Sequence, residues 1–249
     1  MSPTEEFEGL VAIVTGGASG IGAATADLLR SRGATVAVFD RTATTADGID
    51  SIIGDVTDDA SVLAGIAAVV EKHGRIDILI NNAGIGASGG VEANDDAEWR
   101  TVFDVNVLGM ARMTRAALPY LRKSPAASIV NTCSVVSNTG LVNRALYSAS
   151  KGAVEALTRA MAADLVAENV RVNAVAPGTA ATPWVDRLLA EADDPDAARA
   201  ALVARQPIGR LVTADEIAFG IAYLASPLAA STTGTVLPID GGLHAIRVF

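Results

Sequence analysis

Short β-branched runs alternate with longer stretches of helical period from one end of the chain to the other, and few folds accommodate that order. The runs are LVAIVTG (10–16), TVAVFD (35–40), SIIGDV (51–56), IDILINNAG (76–84), SIVNTCS (128–134), VRVNAVAP (170–177) and TVLPIDGG (235–242). Several are apolar throughout, the pattern of strands covered on both faces. Segments of helical period lie near 20–33, 59–73, 95–122, 147–167 and 213–226. Such alternation implies right-handed crossovers and a doubly wound α/β fold, here with a mostly parallel sheet of seven strands. No linker or composition break divides residues 1–249, so one domain is expected. Two connections stand out. RTATTADGID, between the second and third strands, is too short and polar for a full helix. Residues 183–210 read as two short amphipathic helices around DDPD, an excursion long enough to serve as a lid.

Composition narrows the function. Acidic residues exceed basic ones by 28 to 19 and no run of Lys or Arg forms a basic stripe, which argues against a nucleic-acid partner. No window approaches 18 consecutive apolar residues, so no membrane span is expected, and MSPTEEFEGL has neither the basic start nor the apolar core of a signal peptide. A single cysteine, Cys133, excludes an intrachain disulfide and suits a reducing cytoplasm. Strand alternation turns it away from Ser134. His73 and His244 lack any metal-ligand spacing and are read as surface residues, so no metal is expected.

The first strand runs into TGGASGIG. Gly16, Gly20 and Gly22, with Ser19 and Ile21, fall where a strand turns into a helix, the context in which backbone amides and a helix N-terminus receive a pyrophosphate. Asp40 ends the second strand, where its carboxylate would accept ribose hydroxyls and repel a 2′-phosphate. That favours NAD over NADP. Tyr147 precedes Lys151 by four residues with only small residues between, so a phenol and an ammonium share one helix face. The small residues at 148–150 are expected to leave room there for cofactor and substrate.

TGGASGIG, NNAG (81–84), Ser134 thirteen residues before Tyr147, and Tyr147-x-x-x-Lys151 together resemble the short-chain dehydrogenase/reductases, over nearly the whole chain. The resemblance implies that Asn106, Ser134, Tyr147 and Lys151 form the catalytic group, with Lys151 lowering the Tyr147 pKa and Asn106 supporting a water-mediated proton relay. It also implies that Asp55 and Val56 flank the adenine, that Asn82, Ala83 and Gly84 line the cofactor, and that Pro177, Gly178, Ala180 and Thr182 contact the nicotinamide. Lys151 would hold the ribose hydroxyls as well. A homotetramer assembled partly through the helices at 95–122 and 147–167 is implied too.

VNRALYSASK, the lid segment and TADEIA look like the branch that holds type-2 3-hydroxybutyrate dehydrogenase and 2-keto-3-deoxy-fuconate dehydrogenase. That likeness marks Arg144, Arg187 and Arg205 as clamps for a substrate carboxylate, a task that planar guanidinium groups suit. The competing reading has them pair with local acids such as Asp186, Glu191 and Asp196. A hydroxy acid or a sugar-derived acid is therefore the expected small-molecule substrate. The alternatives are a 3-oxoacyl-carrier-protein reductase, against which Asp40 and the absence of a base at Ala18 or Ser19 argue, and a neutral sugar or alcohol dehydrogenase. A non-catalytic nucleotide sensor would not be expected to keep all four catalytic side chains. A serine hydrolase built on GASGG (86–90) lacks the helix that should follow Ser88 at once.

Overall fold

The computed structural model describes residues 5–190 and 192–247. Strand β1 (Val11–Thr15) is buried at every position because alternate residues serve opposite faces of the sheet. Ala12 and Val14 pack with Ala26 and Leu29 of α1 (Gly20–Ser31) and with Ile217, Ile221 and Leu224 of α8 (Ala214–Ala225). Val11 and Ile13 pack on the other side with Val62 and Ile66 of α2 (Asp59–His73), Met113 and Leu121 of α4 (Gly109–Leu121), and Leu165 of α5 (Ala145–Leu165). β4 (Ile78–Asn81) and β5 (Ser128–Thr132) divide their side chains in the same way. Each such fully buried Val, Leu or Ile contributes about 1.5–3 kcal/mol.

With β2 (Thr35–Asp40), β3 (Asp50–Ile53), β6 (Arg171–Pro177) and β9 (Val236–Ile239), these strands make a seven-stranded sheet, ordered β3-β2-β1-β4-β5-β6-β9 and parallel at every pairing. The order reverses between β1 and β4, and the crevice beyond their carboxyl ends is the place where doubly wound sheets bind ligands. The β2–β3 connection carries no helix, in keeping with its short polar sequence.

Three features depart from the pattern read in the sequence. The segment expected to be helical at 95–122 is α3 (Asp96–Phe103), a π-turn (Asp104–Leu108) and α4, and the wider turn brings Asn106 inward to full burial. The lid helices α6 (Pro183–Ala190) and α7 (Pro195–Ala204) flank the acidic turn as expected, but a two-stranded parallel sheet closes their base, with β7 (Ala180–Ala181) paired to β8 (Val212–Thr213). Strands this short carry no periodicity to read. His73 and His244 are half-buried and bonded to Asp50 at 2.6 Å and Asp240 at 2.7 Å, because each ring packs beside a carboxylate on a neighbouring turn or strand.

Gly22 lies in the first turn of α1, directly behind the glycine turn, where an added Cβ would stand 2.1 Å from the Gly16 carbonyl oxygen. Gly22→Ala must therefore displace the turn, and it is expected to destabilise the protein by about 1–3 kcal/mol and to weaken NADH binding in parallel. Urea denaturation and NADH fluorescence titration check both effects.

Candidate active site

A cavity of about 540 Å³ opens at the β1/β4 switch point. One end is built on the glycine turn. Gly16 has φ +64°, and a side chain there would meet the Ala83 Cα at 2.9 Å. The Thr15 hydroxyl accepts the amides of Asn82 and Ala83, both at 3.0 Å, while Asn82 Nδ2 donates to the carbonyls of Thr15 and Gly16. NNAG is thus tied to the glycine turn, and β1 and β4 end at a fixed separation. Ser19 precedes α1 without capping it, leaving the first-turn amides to a ligand. Asp40 braces the turn, accepting from Ala18 N at 3.0 Å and Thr42 N at 2.9 Å, and still lines the cleft. Asp55 accepts from the Thr57 amide, which with the Thr57 hydroxyl holds its carboxyl below the usual range.

Gly16, Ser19, Gly20, Ile21, Asp55, Val56, Asn82, Ala83, Gly84, Pro177, Gly178, Ala180 and Thr182 all line this cavity. Gly22 does not, since it stands behind the turn. Arg41, outside the glycine-turn positions 18 and 19, lines the cleft beside Asp40 and is a base that the sequence reading does not include. The uncapped helix, the side-chain-free cradle at Gly16 and Gly84, and the carboxylate at Asp40 fit a dinucleotide.

The reactive groups meet at the middle of the cavity. β5 delivers Ser134, and α5 carries Tyr147 and Lys151 with Nζ 5.8 Å from the phenol ring centroid. Lys151 is 3% exposed and donates to the Thr132 carbonyl at 2.8 Å. Burial lowers its pKa to about 8. Burial likewise pushes the Tyr147 phenol up to about 12, although a hydrogen bond with Ser134 and the charge of Arg144 pull the other way. In the ligand-free protein burial outweighs the charges around the phenol, since the ring packs against Ala87, Val102 and Leu146.

Asn106 does not line the cavity; its Oδ1 accepts Ile85 N at 2.8 Å, and its Nδ2 donates to Ile85 O at 2.9 Å and Ser150 Oγ at 3.1 Å. Both side-chain amide protons are used, so the side chain braces loop and helix. Ser150 is buried against Asn106, and residues 148–150 do not line the cavity. Cys133 donates its thiol to the Lys151 carbonyl at 3.1 Å and is buried with Met110, Val154 and Ala174, and it also borders the cavity.

At the far end Arg144, Arg187 and Arg205 all line the cavity. Arg144 donates through Nη1 to the Ala87 carbonyl and the Ser88 hydroxyl. Its pKa is lowered by burial first and then by the charge of Arg205. None of the three pairs with a described carboxylate. Asp186 pairs with Arg199 instead, at 3.1 Å, and Glu191 lies outside the described residues. After Ser88 no helix begins before Asp96, which removes the nucleophile elbow.

A family model described as enoyl-(acyl carrier protein) reductase matches residues 16–244. The chain belongs to the short-chain dehydrogenase/reductase family. Cis-4-hydroxycyclohexanecarboxylate dehydrogenase from Sinomonas cyclohexanicum is 40% identical, covering 97% of this chain and 99% of its own. A 3-oxoacyl-acyl-carrier-protein reductase from Thermotoga maritima is 38% identical over 95% and 98%. The aldohexose dehydrogenase of Thermoplasma acidophilum superposes with a TM-score of 0.93 at 34% identity, covering 98% of each chain. As a short-chain dehydrogenase/reductase the protein is an oxidoreductase acting on alcohol and ketone groups, in a family that uses nicotinamide cofactors.

The depressed Lys151 pKa has a thermodynamic consequence that this family site makes measurable. Between pH 8 and 10.5 the unfolded chain binds a proton at this lysine that the folded chain has released, so stability rises with pH across that window. Tyr147 acts only above pH 10, where its raised pKa works in the opposite direction. Compared with Lys151→Met, the ligand-free protein should gain about 3 kcal/mol between pH 8 and 10.5. Denaturant melts of the two proteins across that range check the sign and size.

Proposed function

We propose that the protein is an NAD-dependent dehydrogenase that interconverts a secondary alcohol and a ketone on a hydroxy acid or sugar-derived acid. The observation that carries the substrate class is the pair Arg144 and Arg205, two guanidiniums that line the same cavity as Tyr147 and have no described carboxylate partner. An anion between them relieves the repulsion and replaces lost solvation. The first curated relative above acts, by its name, on a carboxylate-bearing alcohol.

In this reading Tyr147 exchanges a proton with the carbinol oxygen, and Ser134 hydrogen-bonds the same oxygen. Lys151 stabilises the phenolate and holds the ribose hydroxyls, while Asn106 positions the loop and helix behind them. The nicotinamide cofactor supplies the hydride acceptor or donor at the adjacent carbon. Oxidation thus removes a proton from oxygen to Tyr147 and a hydride, with its two electrons, from carbon. Asp40 takes the adenosine ribose, and Asp55 and Val56 the adenine. The active form is a single-domain subunit, with its lid at 183–210, in a cytoplasmic homotetramer.

A second reading is favoured by Arg41. A base beside Asp40 can accept a 2′-phosphate, and NADP use would suit a 3-oxoacyl reductase like the Thermotoga relative. Following reduced cofactor at 340 nm with NAD and with NADP, across hydroxy acids, sugar acids and neutral alcohols, separates the two. Turnover of acids is expected, with NAD preferred at least tenfold and the preference lost in Asp40→Ser. Tyr147→Phe should cut turnover by about 10²–10⁴-fold while NADH binding persists. Turnover of neutral substrates alone would sink the acid reading, and a preference for NADP would reassign Asp40.

A further inference from the structure

The carboxylate reading leaves undefined what joins the carboxylate to the reacting carbon. The wall between Tyr147 and the arginines comes from the loop after β4, the turn after β5 and the underside of the lid. Its side chains include Ala87, Val136, Leu141, Trp184, Leu188 and Leu202. Among the described residues of segments 85–87, 134–151 and 183–205 that line the cavity, the side chains with polar atoms are the three arginines, Ser134, Tyr147, Lys151 and, through its indole N–H, Trp184. No amide, carboxylate or further hydroxyl joins them.

Two threonine hydroxyls of the β6–lid connection also line the cavity, and neither belongs to this wall. With the Gln206 amide oriented to satisfy its neighbours, Thr179 donates through both N and Oγ1 to the Gln206 oxygen at 3.1 Å. Thr182 belongs to the other end, where a Cβ at Gly20 would meet its side chain at 3.6 Å. A polyhydroxylated acid would therefore leave hydroxyls without partners, and each one carried into such a wall loses roughly tenfold in affinity. An alkyl or ring body instead gains from burial against the same side chains.

The charged end is equally specific. Arg144 has its guanidinium fixed to the β4 loop through Nη1, so the Nε and Nη2 edge has no described partner and presents the side-on pair of donors that a carboxylate takes bidentately. Arg205 follows the last turn of α7 and approaches from the lid. The lid has its own small core, Val185, Leu189 and Leu211 with Leu202 and Val203, and an Arg199–Asp186 ion pair between its helices, so Arg205 is held by a unit packed separately from the main core.

Resting on the reading of a carboxylated alcohol, we propose that the substrate is a monocarboxylic acid whose carbinol and carboxylate are joined by an apolar body, alkyl or carbocyclic and without further hydroxyls. The body spans the wall of Val136, Leu141, Trp184 and Leu202, and the carboxylate lies between fixed Arg144 and lid-borne Arg205. The test compares kcat/KM for 3-hydroxybutanoate and for 3- and 4-hydroxycyclohexanecarboxylate with that for gluconate and quinate, and with that for neutral cyclohexanol. At least one apolar-bodied acid should exceed both polyhydroxylated acids by about 100-fold, and Leu202→Asn should narrow that gap. Binding is read independently by calorimetry on the NADH complex. Cyclohexanecarboxylate should bind, cyclohexanecarboxamide should bind at least tenfold more weakly, and Arg205→Gln should remove most of the difference. Polyhydroxylated acids turned over within tenfold of the best apolar-bodied acid would overturn this inference while leaving the carboxylated-alcohol reading intact. Cyclohexanol turned over as well as any acid, with carboxylate and carboxamide bound alike, would remove both.

Discussion

An ammonium group buried without a carboxylate is the constraint around which this site is organised. Lys151 has given up nearly all its water and receives in return one carbonyl, that of Thr132. An arrangement so unfavourable to the charged form persists only because its surroundings are fixed independently. β5 sets the Thr132 carbonyl by parallel pairing on both sides, and α5 is anchored by Val154 and Leu165 in the core. Gly84 lets the loop approach closely, since a Cβ there would stand 3.4 Å from Nζ and 3.2 Å from Asn106 Oδ1. The sheet, the helix and the NNAG loop thus converge on one nitrogen at the wall of the cavity.

The same logic explains the π-turn. A continuous helix over 95–122 would keep every amide bond and would carry Asn106 past Ile85. The wider turn lets that one side chain satisfy both the N–H and the C=O of Ile85 and still reach Ser150. Backbone regularity is given up for a brace joining the loop after β4 to the helix of Tyr147 and Lys151, and π-bulges occur at functional sites for this kind of reason.

Which parts of this were legible in the sequence follows from which parts are local. Strand and helix alternation, the glycine turn and the i, i+4 spacing of Tyr147 and Lys151 are periodic or contiguous signals, and they located the sheet and the reactive face. The π-turn leaves the apolar pattern of its segment unchanged. β7 and β8 are too short to have a pattern. The direction of the Tyr147 pKa depends on Ala87, Val102 and Leu146 closing over the ring from separate elements, and no spacing rule contains that. Ser150 was small for a partner 44 residues away. Arg41 lies 21 residues after Gly20 of the glycine turn in sequence, and only the parallel pairing of β2 with β1 brings it to the same rim.

The two halves of the cleft divide rigidity and selectivity between them. The cofactor half is held by strand ends and by bonds such as those of Thr15 to Asn82 and Ala83, which leave little freedom to adapt. On the opposite side Arg144 is fixed to that frame through Ala87 and Ser88, whereas Arg205 rides on helices with their own small core and a two-stranded base. Like charges on a fixed wall and on a separately packed one oppose close approach until something negative lies between them. A substrate anion would therefore contribute twice, by its own hydrogen bonds and by relieving the repulsion between the two guanidiniums, and a neutral alcohol of the same shape would contribute neither.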